Sequence, residues 1–161
     1  MKRWLGFFLI LGIFASPSLA QKEEPQRPTL GPPPTGREEG PHNAVTTDRR
    51  KLLRIRKIYV ERIDNDLSDM LLEGLSKSGR FEIVVEREKA EGVIRGTCFD
   101  SRRLKMVHSE VFLSDRATGD SIWQDNVRQP YNPPPLKEAV VKTADTVLRD
   151  LASSLTEARN H

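Results

Sequence analysis

The pattern of hydrophobic and polar residues divides the chain at about residue 48, because a regular period is found only after that point. Hydrophobic and polar residues alternate in five segments, as they do in half-buried strands. These segments are residues 53–62, 81–85, 92–99, 105–114 and 121–128. Lys57 interrupts the first one. That strand therefore either contains a bulge or begins at Lys57, with Ile58 and Val60 pointing inward.

Two other segments have the period of an α-helix. In residues 64–79, Leu67, Leu71 and Leu75 recur every four positions, and Gly79 is a typical helix end. Gly74 lies inside this helix and predicts a close approach between the helix and the sheet. The second helix begins near Leu136, and its hydrophobic stripe continues through Val140, Ala144, Val147, Leu148, Leu151 and Leu155.

This order predicts an α+β fold, β-α-β-β-β-β-α, with a mostly antiparallel sheet and two helices packed on one face. Residues 91–125 form its centre, and Asp115 to Gly119 form the tight turn between the last two strands. Four prolines in residues 129–135 predict irregular structure before the last helix. The second sheet face and the sheet edges are expected to be open to partners.

The first 48 residues have two different compositions. Residues 1–20 combine Lys2 and Arg3, an apolar run of 11 residues, and the small residues Ser18 and Ala20, which predicts an export signal cleaved after Ala20. An uncleaved N-terminal membrane anchor is the alternative. Residues 21–48 contain six prolines and three glycines and predict a disordered tether. A single domain then covers residues 49–158.

Charge and cysteine content exclude some classes of function. Loss of Lys2 and Arg3 with the signal would lower the formal charge from +3 to +1, so the exported chain is not expected to bind nucleic acid. Cys98 is the single cysteine, so the domain must be held together by its hydrophobic core.

The sequence predicts no catalytic site, no metal and no cofactor. His42, His108 and His161 do not have the spacing of metal ligands. Cys98 and His108 would make a thiol–imidazole pair only if they shared a sheet face, and the alternation places them on opposite faces. Cys98 is therefore expected to be a buried structural thiol.

The candidate partner surface combines the outer face of the sheet with the basic segment 49–57. Its predicted members are Arg54, Arg56, Val93, Arg95, Phe99, Met106, His108 and Phe112. They predict a non-catalytic module that binds other envelope proteins, and the basic segment is compatible with association with a membrane surface. The alternative is a small carrier that binds lipid or glycan through the basic strand and the proline-rich loop near Tyr131. The sequence does not define the partner's identity or the oligomeric state.

Several motifs suggest a family. The segments SGRFEIVV (78–85), AEGVIRG (90–96) and DRATG (115–119), followed by Trp123, resemble a domain shared by three groups of proteins. These are the TolB N-terminal region, the curli-secretion protein CsgG and the penicillin-binding-protein activator lipoproteins. The resemblance covers residues 52–156. It implies a cell-envelope module that binds other proteins and has no catalytic activity.

Overall fold

The computed structural model describes residues 41–132 and 136–160, which form one sheet and the helices that cover it. The export signal and residues 21–40 of the tether lie outside the described residues. No helix in the two described stretches is long and apolar enough to cross a membrane. The elements, in chain order, are β1 (His42–Thr46), α1 (Arg49–Arg54), β2 (Lys57–Val60), α2 (Leu67–Ser78), β3 (Glu82–Ile83), a 3₁₀ turn (Arg87–Lys89), β4 (Gly92–Ser101), β5 (Met106–Asp115), β6 (Ser121–Pro130) and α3 (Leu136–Asn160).

The sheet has six strands in the order β1-β6-β5-β4-β2-β3. Strands β4, β5 and β6 are antiparallel neighbours, and β1 adds an antiparallel edge beside β6. On the other side, β2 is parallel to both β4 and β3. The predicted α+β fold with a mostly antiparallel sheet is confirmed. The second predicted strand, 81–85, is reduced to the two residues of β3.

The beginning of the domain differs from the prediction in two places. Residues 49–54 form the helix α1, which includes most of the basic segment 49–57 and the first two residues of the predicted strand 53–62. The Asp48 side chain caps this helix, accepting a hydrogen bond of 2.9 Å from the Lys51 backbone N–H. Leu52 from this helix is fully buried. The alternative start of the strand at Lys57, with Ile58 and Val60 inward, is the one observed.

Residues 42–46, predicted as part of the tether, form the edge strand β1. The prediction failed because none of these five residues is fully buried, so the segment lacks a clear hydrophobic pattern. The segment is ordered because it pairs with β6, and its own sequence does not specify a strand. In the same way, Gln129 and Pro130 belong to β6 and not to an irregular loop, with Pro130 at the strand end where it is tolerated.

The core lies between the inner face of the sheet and the helices. The predicted inward residues Ile94, Cys98, Val107, Val111 and Leu113 are all buried there. Gly79 ends α2 in the left-handed conformation, as predicted. A Cβ atom at Gly74 would lie 2.1 Å from Cδ1 of Leu148 in α3. This glycine therefore marks a close approach of two helices, not the predicted approach of a helix to the sheet.

Gly96 is needed where β4 and β5 approach each other, because a Cβ atom there would lie 2.2 Å from the Glu110 carbonyl oxygen. We expect Gly96→Ala to lower the free energy of unfolding by about 2 kcal/mol, since backbone atoms must move. Gly74→Ala is the control. Its new methyl group meets the tip of a flexible side chain, and alanine favours the helix by about 1 kcal/mol. Urea unfolding measures both, and an unchanged midpoint for Gly96→Ala would contradict the strand pairing.

Candidate interaction surface

The face of the sheet opposite the core carries no helix among the described residues. Side chains that point to this side belong to β1, β4, β5 and β6, and we call them the open face. They are Asn43, Val45, Val93, Arg95, Thr97, Phe99, Met106, His108, Glu110, Phe112, Gln124, Asn126 and Arg128. The helix α3 instead packs along the other side, against β6, β1 and β5.

The pairing of the strands brings the predicted contact residues together. Phe99 lies directly opposite His108, and Arg95 lies opposite Phe112. His108 in turn lies opposite Arg128 of β6. Aromatic rings and guanidinium groups therefore alternate across neighbouring strands, a mixture that is enriched at protein interfaces.

The apolar side chains of the open face differ in their solvent exposure. Phe99 is 60% exposed, whereas Met106 and Phe112 are half-buried between their neighbours. Val93 was predicted to be exposed, and this prediction is wrong, because only 3% of its surface is accessible. Its strand neighbours are Tyr59 and Ser114, and Ser114 is buried as well.

Two predicted surface residues lie elsewhere. Arg54 is the last residue of α1, and Arg56 lies in the connection to β2, so neither is on the outer face of a strand as predicted. Both are exposed. Arg54 borders a depression of about 400 Å³ whose other lining residues are Lys51, Ile55, Ala90, Glu91, Asp115, Arg116 and Ala117.

A ligand pocket lined by Tyr131 and Trp123 would favour the alternative of a small lipid or glycan carrier. Trp123 is fully buried, and its indole N–H donates a hydrogen bond of 3.0 Å to Ser154 Oγ in α3. Tyr131 is half-buried, and its hydroxyl donates a hydrogen bond to the Asp100 carboxylate. These two aromatic side chains therefore do not line a common pocket. Residues 133–135 of the proline-rich loop lie outside the described residues.

The sequence did not identify the part of the open face that β1 and β6 supply. Val45 in β1 is 41% exposed, and Asn126 Nδ2 donates a hydrogen bond of 3.0 Å to Glu110 Oε1 across β6 and β5. Phe112 and Glu110 also border a shallow depression of about 180 Å³ with Asn43 and Gln124. The alternation in β6 predicted a strand. Only the placement of β1 beside it extends the surface.

Cys98 and His108 lie on opposite faces of the sheet, as the alternation predicts. Cys98 is buried on the inner face opposite Ser109, whereas His108 belongs to the open face. Burial raises the pKa of the Cys98 thiol, so the group stays protonated and is a weak nucleophile. The imidazole cannot reach it through the sheet. This geometry does not assemble a thiol–imidazole pair.

A buried acidic pair lies under α3, next to the edge strand β1. The carboxylate of Asp150 in α3 lies beside the imidazole of His42 in β1, with 2.6 Å between Oδ2 and Nδ1. Asp125 of β6 is 2% exposed, and both of its carboxylate oxygens are enclosed. Burial, and then the charge of Asp150, raise the pKa of Asp125 to about 6, while His42 lowers it.

We expect this pair to make stability depend on pH. The pKa of Asp125 is higher in the folded state than its ordinary value of 3.8, so the folded protein holds its proton more tightly. The free energy of unfolding should therefore fall as pH rises from about 4 to about 6, by up to roughly 3 kcal/mol. Asp125→Asn should flatten this decline, whereas exposed Asp145→Asn should keep it. Urea unfolding from pH 4 to 7 measures the effect, and an equal decline in both variants would contradict the assignment.

Comparison with known proteins defines a fold and no family. Neither a family model nor a curated protein matches the sequence. Among solved structures, a single-residue variant of the PelC dodecamer from Paraburkholderia phytofirmans is similar, with 14% identity, a TM-score of 0.52, and coverage of 70% of this chain and 98% of that one. A DUF4136 family protein from Bacteroides thetaiotaomicron has 6% identity and a TM-score of 0.51, with coverage of 74% and 98%. At these identities the likeness concerns the fold alone.

Proposed function

We propose that the chain is an exported, non-catalytic assembly module of the bacterial cell envelope that binds other envelope proteins through the open face, and that further copies of itself are the first such partner. The exposure of Phe99 is the observation on which the proposal rests. This aromatic side chain is 60% exposed near the C-terminal end of β4, in the part of the strand that pairs with β5 and not with β2. Exposed aromatic residues surrounded by polar ones are typical of interaction sites.

The dimensions of the open face support this function. Each of its three long strands has ten residues, which corresponds to a length of about 33 Å. With β1 included, four strands at a spacing of about 4.8 Å give a face of roughly 600 Å². A standard interface buries about 800 Å² on each partner, so the open face supplies about three quarters of that area.

Two further observations support export and self-association. The composition of residues 1–20 favours export, and the resemblance to the domain of TolB, CsgG and the activator lipoproteins implies an envelope module. The PelC protein with the similar fold forms a dodecamer in its crystal. We infer that this chain also associates with copies of itself, through the face that its own helices leave uncovered.

Phe99→Glu tests the proposal on residues 21–161. A charge at this position of the interface should raise the dissociation constant of self-association by about 30-fold or more, because a buried aromatic anchor contributes about 2 kcal/mol. Sedimentation equilibrium over a range of protein concentrations measures this constant. The thermal midpoint should not change, since Phe99 is already largely exposed.

Val85→Glu is the matched control, because Val85 is 92% exposed and lies beyond the edge strand β3. It should leave self-association unchanged. A wild-type protein that stays monomeric at every concentration would contradict self-association. Equal effects of the two substitutions would show that the open face is not the interface.

A further inference from the structure

Three titratable side chains meet where β1, β6 and α3 pack together. The strand register pairs His42 of β1 with Val127 of β6, two residues after Asp125. His42 and Asp125 are therefore diagonal neighbours on the inner face of the sheet, at a distance that long side chains can bridge. The His42 imidazole in turn lies 2.6 Å from the Asp150 carboxylate of α3. One imidazole therefore lies beside two carboxylates.

The packing of α3 places Asp150 over Asp125. Ser154 lies over Trp123, since it accepts the hydrogen bond of 3.0 Å from the indole N–H. The contact of Asp150 with His42 shows that α3 and β6 run in opposite directions here. One helical turn back along α3 leads to Asp150, and two residues forward along β6 lead to Asp125. Both steps span about 6 to 7 Å. Asp125 is 2% exposed and Asp150 8%, so the two carboxyl groups are enclosed next to each other.

The surrounding elements bring one cation, Arg149, to this cluster in the part of the chain that the structure describes. Arg149 Nε lies 3.5 Å from Asp150 Oδ1, at a half-exposed position of α3. From β5, Asp125 faces Val111, which is apolar. The helix α1 also contacts β6, but its arginines are exposed, and its Lys51 is paired with the two carboxylates of the turn that precedes β6. Ionisation of both acids therefore places two negative charges in an enclosed space with a cation only at its rim.

The edge strand β1 is attached to the domain by few interactions. It has five residues, and none of them is buried. In the described sheet its one neighbouring strand is β6. Segments with so little burial open locally at a lower free energy than the whole domain. Ala44 lies opposite Asp125, so opening of β1 uncovers one side of this acid.

We propose that His42, Asp125 and Asp150 form a pH-sensitive latch that holds β1 on β6 in acid and loosens it as the pH rises to neutrality. In the closed state a charge on Asp125 is costly, because the group is enclosed and lies beside a second carboxylate. Opening of β1 hydrates Asp125 and removes this cost. A protonated His42 offsets one of the two negative charges, so loss of its proton acts in the same direction. Because Asn43 and Val45 of β1 belong to the open face, opening also removes one of the four strands of that face.

The direction and the pH range follow from Asp125. Burial, and then the charge of Asp150, raise its pKa from the ordinary value of 3.8 to about 6 in the closed state. The closed state therefore holds this proton more tightly than the open one. Its advantage is complete below about pH 4 and is lost as the pH rises through about 6. A shift of this size makes the equilibrium constant for opening of β1 about 10-fold larger at pH 7 than at pH 5.

Hydrogen–deuterium exchange of residues 21–161, followed by mass spectrometry at pH 5, 6 and 7, tests the latch. The measured quantity is the protection factor, which is the exchange rate of an unstructured peptide divided by the observed rate at the same pH. The reporter is the peptide of residues 42–47, whose Thr47 N–H donates a hydrogen bond of 2.8 Å to the Ile122 carbonyl oxygen. Its protection factor should fall by about 10-fold from pH 5 to pH 7. The concentration is kept below that of self-association, so the latch is measured whether or not copies of the chain associate.

The opposite edge of the sheet, β3, is the internal control. In the peptide of residues 81–85, the N–H groups of Glu82 and Val84 donate hydrogen bonds of 2.8 and 3.0 Å to carbonyl oxygens of the neighbouring chain segment. This edge opens without uncovering Asp125, so its protection factor should not change with pH. An unchanged protection factor for residues 42–47, or an equal fall at both edges, would overturn the proposal.

Three variants assign the effect to the cluster. Asp125→Asn keeps the shape of the side chain without its charge and should abolish the fall in protection of residues 42–47. Asp150→Asn removes the neighbouring negative charge and should make the fall smaller. Asp145→Asn is the matched control, because Asp145 is an exposed acid of the same helix, and it should keep the full fall. A fall that persists in both Asp125→Asn and Asp150→Asn, or one that Asp145→Asn also abolishes, would contradict the latch.

Discussion

The packing of Trp123 between β6 and α3 is the interaction on which the rest of the domain depends. Its indole is fully buried and hydrogen-bonded to Ser154, which fixes the long helix along one side of the sheet. The helix has 25 residues, and its buried side chains run from Ala139 to Ala158. The shorter helices α1 and α2 both contact α3. All three described helices therefore pack on the same face of the sheet.

One-sided cover leaves the sheet with an ordered face that no described helix buries, and this face carries Phe99, Phe112 and Met106. Its apolar groups come from β1, β4 and β5, whereas the members from β6, Gln124, Asn126 and Arg128, are polar. A surface that mixes apolar and polar side chains in this way is suited to protein contact.

The sequence correctly predicted those elements whose conformation is set by interactions among their own residues. The Asp115 turn is an example: its side chain accepts bonds from the N–H groups of Ala117 and Thr118, as the turn residues indicate. The prediction failed where tertiary contacts determine the conformation or the burial of a residue. Segment 42–46 is ordered by pairing with β6, and Val93 is buried although its position in the alternation is correct.

If copies of the chain associate through the open face, that face becomes covered in the associated state. Hydroxyl-radical footprinting of residues 21–161, performed below and above the concentration of association, measures this directly at single side chains. Phe99 and Met106 should become several-fold less reactive in the associated state, while Val85, at 92% exposure, keeps its reactivity. Association that leaves Phe99 and Met106 as reactive as before would contradict the account.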